Sequence, residues 1–319
     1  MRLSSFLAAS LLAISQTVAH PETLDRSEIA RRAGMSKRCE ASASKFNKKR
    51  QEKRAMAKRA WGSGNTSVEI VTEAPYFDTI QNDTCVLTPD VTPGPYVWPR
   101  SQTLRQDATE DQPGIPLWLD FGVLDMDTCE PLEGVLVSFW HCNATGSYSS
   151  FTALSPNTPF TDLLTELNVT DFQEGVTDLH TDDTTWLRAM WPTDSNGLVE
   201  MKTIVPGFYV QRSIHIHVQV YNNWALHDNG TVTSGRLIST GQVYLNESMS
   251  QQAMALEPYA SHTQINRTTN AEDTIFAGDT EGGYSPILDL VAIDGDIANG
   301  LVGYITMGID TANLVSDTD

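Results

Sequence analysis

The chain has 319 residues, 21 Lys and Arg against 40 Asp and Glu, and only four cysteines. At 40% hydrophobic it can build a sizeable core, which excludes wholesale disorder, and so few cysteines exclude a disulfide-dense miniature fold. The charge is uneven: residues 1–60 hold 14 basic and 5 acidic residues, which leaves 7 against 35, a net of −28, for residues 61–319. A body this acidic is unsuited to nucleic acid or to anionic membrane surfaces, since both require clustered Lys and Arg.

In chain order, Arg2 precedes an apolar run from Phe6 to Ile14, and Thr17-Val18-Ala19 supplies small residues for cleavage. Residues 1–19 therefore read as a secretory signal peptide, too short to span a bilayer stably. Seven Asn-x-Ser/Thr sequons (Asn65, Asn82, Asn143, Asn168, Asn229, Asn246, Asn266) fit an N-glycosylated product secreted to the cell exterior. Residues 20–59 are rich in Lys, Arg, Ala and Ser, with dibasic pairs at Lys37-Arg38, Lys49-Arg50 and Lys58-Arg59. They read either as a pro-segment cut after Arg59 or as a retained, solvated helix interrupted at Gly34. His20 would become the mature N-terminus, but nothing nearby completes a copper site there.

From about Val68 the sequence changes to short β-type runs between Gly, Pro, Asn and Asp. Leu117, Leu119, Phe121 and Val123 alternate, as do Val135, Val137 and Phe139. Val199, Met201, Thr203 and Val205 follow, then Ile214, Ile216, Val218 and Val220. The runs Ile287–Ile293 and Leu301–Ile309 predict buried strands. Neither a long helical period nor an internal repeat occurs in the body. The pattern predicts a mainly β fold, an antiparallel two-sheet β-sandwich with long irregular connections, as one domain over 60–319.

The chemistry concentrates at Ser213-Ile214-His215-Ile216-His217-Val218. Successive strand side chains point to opposite faces, so His215 and His217 share one face. Two imidazoles there can hold a metal; the bland alternative is a hydrogen-bonded pair. Neither Cys-x-x-Cys nor His-Glu-x-x-His accompanies them, which removes the commonest zinc patterns. Tyrosines do: Tyr209 six residues upstream, and Tyr148 in Gly146-Ser147-Tyr148-Ser149. Phenolate is a hard anionic donor, and two phenolates with two imidazoles would suit Fe(III).

Several segments then carry a resemblance. They are Cys85–Pro89 and Gly94-Pro95-Tyr96, Cys129–Leu132, Phe139–Ser149, Trp186-Leu187-Arg188, Pro192–Gly197, Thr203–Tyr209 and Leu301–Asp310. In this order and spacing, over roughly 85–310, the chain resembles the intradiol ring-cleavage dioxygenases, most nearly their secreted fungal branch. The resemblance implies one non-haem Fe(III) per chain, held by Tyr148, Tyr209, His215 and His217. Tyr209 would be the axial ligand that leaves when substrate arrives and takes one of its protons. Arg212 would stabilise negative charge on the substrate, and Tyr96 and Gln242 would line the pocket. The implied reaction joins O2 to a small aromatic diol and opens the ring between its hydroxylated carbons to a muconate-type diacid. His141 lies in a matching segment but is not a ligand there, so a structural role is expected.

The chain departs from that branch at Phe208, where many relatives have His, and at Val210-Gln211, where they have Thr-Gly. Both departures lie beside the expected metal and bear on substrate range. Asn143 is five residues from Tyr148, and a glycan there would block a pocket rim, so that sequon is expected to stay bare. In an oxidising compartment the four cysteines should pair, with three connectivities open; Cys129 and Cys142 flank a strand and could meet in a local bridge, which would leave Cys39 with Cys85. The chain is expected to be a monomer. Two competing readings are a metallohydrolase using His215 and His217, and a non-catalytic protein binding phenolics or polysaccharide.

Overall fold

The computed structural model describes residues 92–98, 103–228, 232–280 and 285–312, preceded by helical Ser27, Ala30, Arg31, Gly34, Arg38 and Cys39. The leader, His20, the Lys49-Arg50 and Lys58-Arg59 pairs, Cys85, and the sequons at Asn65, Asn82 and Asn229 lie outside the described residues.

Ten strands are described: β1 (Pro116–Asp125), β2 (Leu136–Trp140), β3 (Arg188–Pro192), β4 (Leu198–Ile204), β5 (His215–Asn222), β6 (Ala225–Leu226), β7 (Val232–Thr233), β8 (Arg236–Tyr244), β9 (Asp289–Ala292) and β10 (Leu301–Ile309). Three short α-helices accompany them: α1 (Phe160–Glu166), α2 (Glu247–Met254) and α3 (Thr274–Asp279). The first sheet runs β4-β1-β10-β9 and the second β3-β2-β5-β8, with β6 and β7 forming a separate hairpin. The sandwich expected from the alternating runs is present. Its pairings are antiparallel except that between β1 and β10, which is parallel.

Period-two patterning explains the layers. In β1, Leu117, Leu119, Phe121 and Val123 are fully buried and face Val137, Phe139, Ile216, Val218 and Val220 of the second sheet in one apolar core. Each such side chain contributes about 1.5–3 kcal/mol on burial. β8 was not visible in the sequence for two reasons. A bulge opposite Val220/Tyr221 puts Ile238 out of phase, and its other face carries buried Thr240 and Gln242 rather than solvent-exposed residues.

The basic arm is attached to the acidic body. Cys39 bonds Cys129, Cα atoms 5.1 Å apart, and is buried beside Leu124, Met126 and Leu198. Arg31 pairs with Asp310 at 2.7 Å, Arg38 approaches Asp127 at 3.5 Å, and Arg38 also donates to the Met126 carbonyl. Of the three open connectivities, the one with a local Cys129–Cys142 bridge and a Cys39–Cys85 pair is therefore excluded; Cys142 is a buried free thiol. Between Cys129 and Cys142 runs β2, whose five residues extend about 17 Å. A disulfide needs Cα atoms within about 7 Å. Among the described residues no helix is long and apolar enough to cross a membrane.

Candidate functional site

On the outer face of the second sheet, strand register sets Arg188, Trp140, His217 and Gln242 side by side. His215 lies two residues from His217 on the same face of β5, while Ile216 and Val218 enter the core. The Trp140 ring stacks on His217, centroids 4.8 Å apart and nearly parallel. Loops supply the tyrosines: Tyr148 from the connection after β2, Tyr209 from the turn before β5. The structure brings all four residues together. Tyr209 Oη lies 3.2 Å from His215 Nε2, which lies 3.2 Å from His217 Nε2. The rings of Tyr148 and Tyr209 are 5.5 Å apart.

The hydrogen bonds define which atoms are available. His215 Nδ1 sits 2.6 Å from the Ser213 carbonyl, which can only accept, so Nδ1 carries the proton and Nε2 a lone pair. The buried Tyr148 hydroxyl has no hydrogen-bond partner of its own. A buried phenol without a partner costs about 1–3 kcal/mol, and a cation at this point would remove that cost. Burial and the Arg212 charge hold both His215 and His217 well below the usual imidazole range. Burial pushes the Tyr209 phenol up to about 12 and Tyr148 further still. Without a cation the site thus favours neutral imidazoles and protonated phenols, and a trivalent ion reverses that preference for the phenols. Among the described residues no group of three His, Cys, Asp or Glu could hold a metal, so the donor set here is one of phenols with imidazoles. These donors fit a hard, high-valent ion such as Fe(III).

Two glycines let the tyrosine loops interlock. A Cβ on Gly146, where φ is +87°, would stand 2.2 Å from the Phe208 carbonyl oxygen, and one on Gly207 would stand 2.4 Å from that of Ala144. The buried Arg188 pins the neighbouring chain: Nε donates to Ser149 Oγ, and Nη2 to the carbonyls of Ser149 and Tyr96. Tyr96 lies over Tyr148, centroids 4.5 Å apart and stacked, with Phe151 and Phe160 edge-on to it. Beyond, Arg212 donates from Nε to Asp273 Oδ2 at 3.0 Å and from Nη2 to Gln242 Oε1. Gln242 Nε2 is buried and has no partner.

Comparison with known proteins points the same way. The model of the family described as Dioxygenase matches residues 89–228. An intradiol ring-cleavage dioxygenase from Tetranychus urticae superposes with a TM-score of 0.58 at 25% identity, over 73% of this chain and 98% of its own. The chain resembles the intradiol ring-cleavage dioxygenases in sequence and in fold. A second dioxygenase crystal structure superposes on this chain with a TM-score of 0.56, also at 25% identity and with the same coverages. No curated protein sequence matches it.

The structure corrects one expectation at the departures. Phe208 does not face the metal-binding atoms: its ring enters the sandwich core and stacks on His262 at 4.5 Å. Adjacent extended residues point oppositely, so Tyr209 facing the site sends Phe208 away. Gln211 is exposed and has φ of +67°, the left-handed region that glycine occupies without strain. His141 has the structural role expected of it, buried between the Cys142 carbonyl and Thr203 Oγ1, each 2.7 Å away. The roles of Arg188, Ser213 and Asp273 were not legible in the sequence. Asp273 carries the signal of a helix N-cap, but nothing in the sequence links it to Arg212.

Proposed function

We propose that this chain is a secreted, ferric intradiol dioxygenase of neutral catechols. What carries the reading is the convergence of Tyr209 Oη and the two His Nε2 atoms, 3.2 Å apart in sequence along the chain of contacts, beside the partnerless Tyr148 hydroxyl. Tyr148, Tyr209, His215 and His217 would hold one Fe(III), which supplies the charge that binds a catechol as its dianion and makes the ring reactive toward O2. The Tyr209 phenolate would be the base that takes a substrate hydroxyl proton at Oη. The Arg212 guanidinium stabilises the charge that develops on the ring oxygen. Tyr96, Phe151 and Phe160 give the ring an apolar, water-poor wall. Gln242 Nε2 offers a donor with no partner of its own. The body's net charge of −28 repels anionic catechols such as protocatechuate, so neutral ones are the better substrates.

Secretion is supported by the leader, the sequons and the Cys39–Cys129 disulfide. Glycans would sit at exposed Asn168 and Asn266. Asn143 instead uses Oδ1 to accept from Thr145 and Ser147 and Nδ2 to donate to Gln112, and Asn246 caps α2. Each chain would act as a monomer.

The test is iron content, visible absorption and product analysis on the purified chain. Tyrosinate-to-Fe(III) charge transfer should colour it wine-red, catechol added without air should shift the band, and O2 should then yield the muconate-type diacid. A colourless, iron-free protein that leaves catechol intact, or a Tyr209→Phe variant of undiminished activity, would refute the reading.

A further inference from the structure

The Asp273 carboxylate is 1% exposed and lies 61 residues from Arg212 in sequence. Its Oδ2 accepts from Arg212 Nε at 3.0 Å, Ser213 N at 2.9 Å and Ser213 Oγ at 2.9 Å. Its Oδ1 accepts from Ile275 N at 2.9 Å and Phe276 N at 3.4 Å, at the start of α3, and more weakly from Arg212 Nε at 3.3 Å. One side chain thus caps a helix, orients a guanidinium and holds the residue whose carbonyl accepts from His215 Nδ1. With Nε engaged by Asp273 and Nη2 by Gln242, Nη1 is the edge of Arg212 that makes no hydrogen bond among the described residues.

We propose that Asp273 is a positioning residue for ring cleavage, holding Arg212 with Nη1 turned to the reacting ring; this rests on the function proposed above. A helix cap needs no carboxylate, because Ser caps as well as Asp. A buried carboxylate facing Arg212 Nε and Ser213 instead satisfies charge and geometry together, and Arg requires such a planar partner to be held at one angle. Burial opposes ionisation of Asp273, yet the Arg212 charge and the Ser213 bonds more than offset it and keep the carboxyl below the ordinary Asp range.

Asp273→Ser keeps the cap and removes the reach to Arg212, whereas Asp273→Ala removes both. In the full-length chain, Asp273→Ser should keep the iron content and substrate-free visible band of wild type. Its kcat for catechol should fall about 100- to 1,000-fold, as on removing one preorganised electrostatic group, while KM changes far less. Arg212→Lys added to Asp273→Ser should cost little more than either change alone. A second readout does not need iron: in full-length protein prepared without metal, the slowly exchanging Arg212 Nε–H resonance should disappear in Asp273→Ser. Wild-type kcat in Asp273→Ser, multiplicative losses in the double variant, or a retained Nε–H resonance would each overturn the proposal. If wild type itself holds no iron and opens no catechol, the dioxygenase function fails, and the resonance still decides whether Asp273 holds Arg212.

Discussion

Replacing His141 with Gln should remove a defined part of the protein's acid sensitivity. His141 is fully buried, with Nδ1 donating to the Cys142 carbonyl and Nε2 accepting from Thr203 Oγ1. Burial, aided by the nearby Arg188 charge, lowers its pKa from 6.5 to about 4. The folded pKa of this base lies below the unfolded value. As pH falls below 6.5 the unfolded chain takes up the proton first, and stability is lost until about pH 4, where the folded state binds it too. A difference of 2.5 pH units, at about 1.36 kcal/mol each, is roughly 3 kcal/mol. Above pH 6.5 the residue contributes no pH dependence. With a urea slope of about 2–3 kcal/mol per molar, wild type should lose about 1 M more of its midpoint between pH 7 and pH 4.5 than His141→Gln does. Urea titrations of both proteins at the two pH values measure this. Midpoints that fall in parallel would show that His141 is not held neutral by burial and would sink the argument.

Four further outcomes follow from the geometry. A dibasic-specific protease acting after Arg59 should leave the basic arm on the body, so the fragments should separate on a gel only after reduction; release without reductant would disprove the Cys39–Cys129 link. That bridge spans 90 residues and contributes about 4–5 kcal/mol in the chain-entropy picture, so Cys129→Ser should lower the midpoint of chemical unfolding accordingly. Gly146→Ala sets a Cβ against the Phe208 carbonyl at a left-handed φ, and should cost about 3–5 kcal/mol from strain plus overpacking, with loss of metal binding; a fully metallated, stable variant would contradict the interlocking of the tyrosine loops. Arg188→Met leaves the carbonyls of Tyr96 and Ser149 without their guanidinium donor, which should cost about 2–5 kcal/mol in thermal or urea unfolding, and a loss below 1 kcal/mol would mean that other donors replace it.

The acidic body, the sandwich and the set of metal-binding candidates were legible in the sequence because each rests on local spacing. Alternation in Leu117–Val123 and Ile216–Val220 marks inward faces whatever the strands pair with, and His-x-His on one strand puts both rings on one side. Arg212, three residues before His215, was singled out by the family resemblance and not by spacing. What depends on distant partners was not legible. The parallel seating of β10 against β1 and the bulge in β8 arise from pairings across the chain that no window of residues records. The partner of Cys39 was left open among three connectivities, and it is Cys129, because β2 carries Cys142 to the far end of the sheet. Phe208 looked like a pocket residue by its place beside Tyr209, and the backbone turns it into the core. Asp273 owes its position to α3 folding back onto the turn before β5, so a carboxylate 61 residues away determines how Arg212 is held. The sequence by itself determined which side chains could do the chemistry, through composition and short-range period. Tertiary packing alone decided which of them meet and in which protonation state, because burial and long-range hydrogen bonds exist only once the sheets have closed.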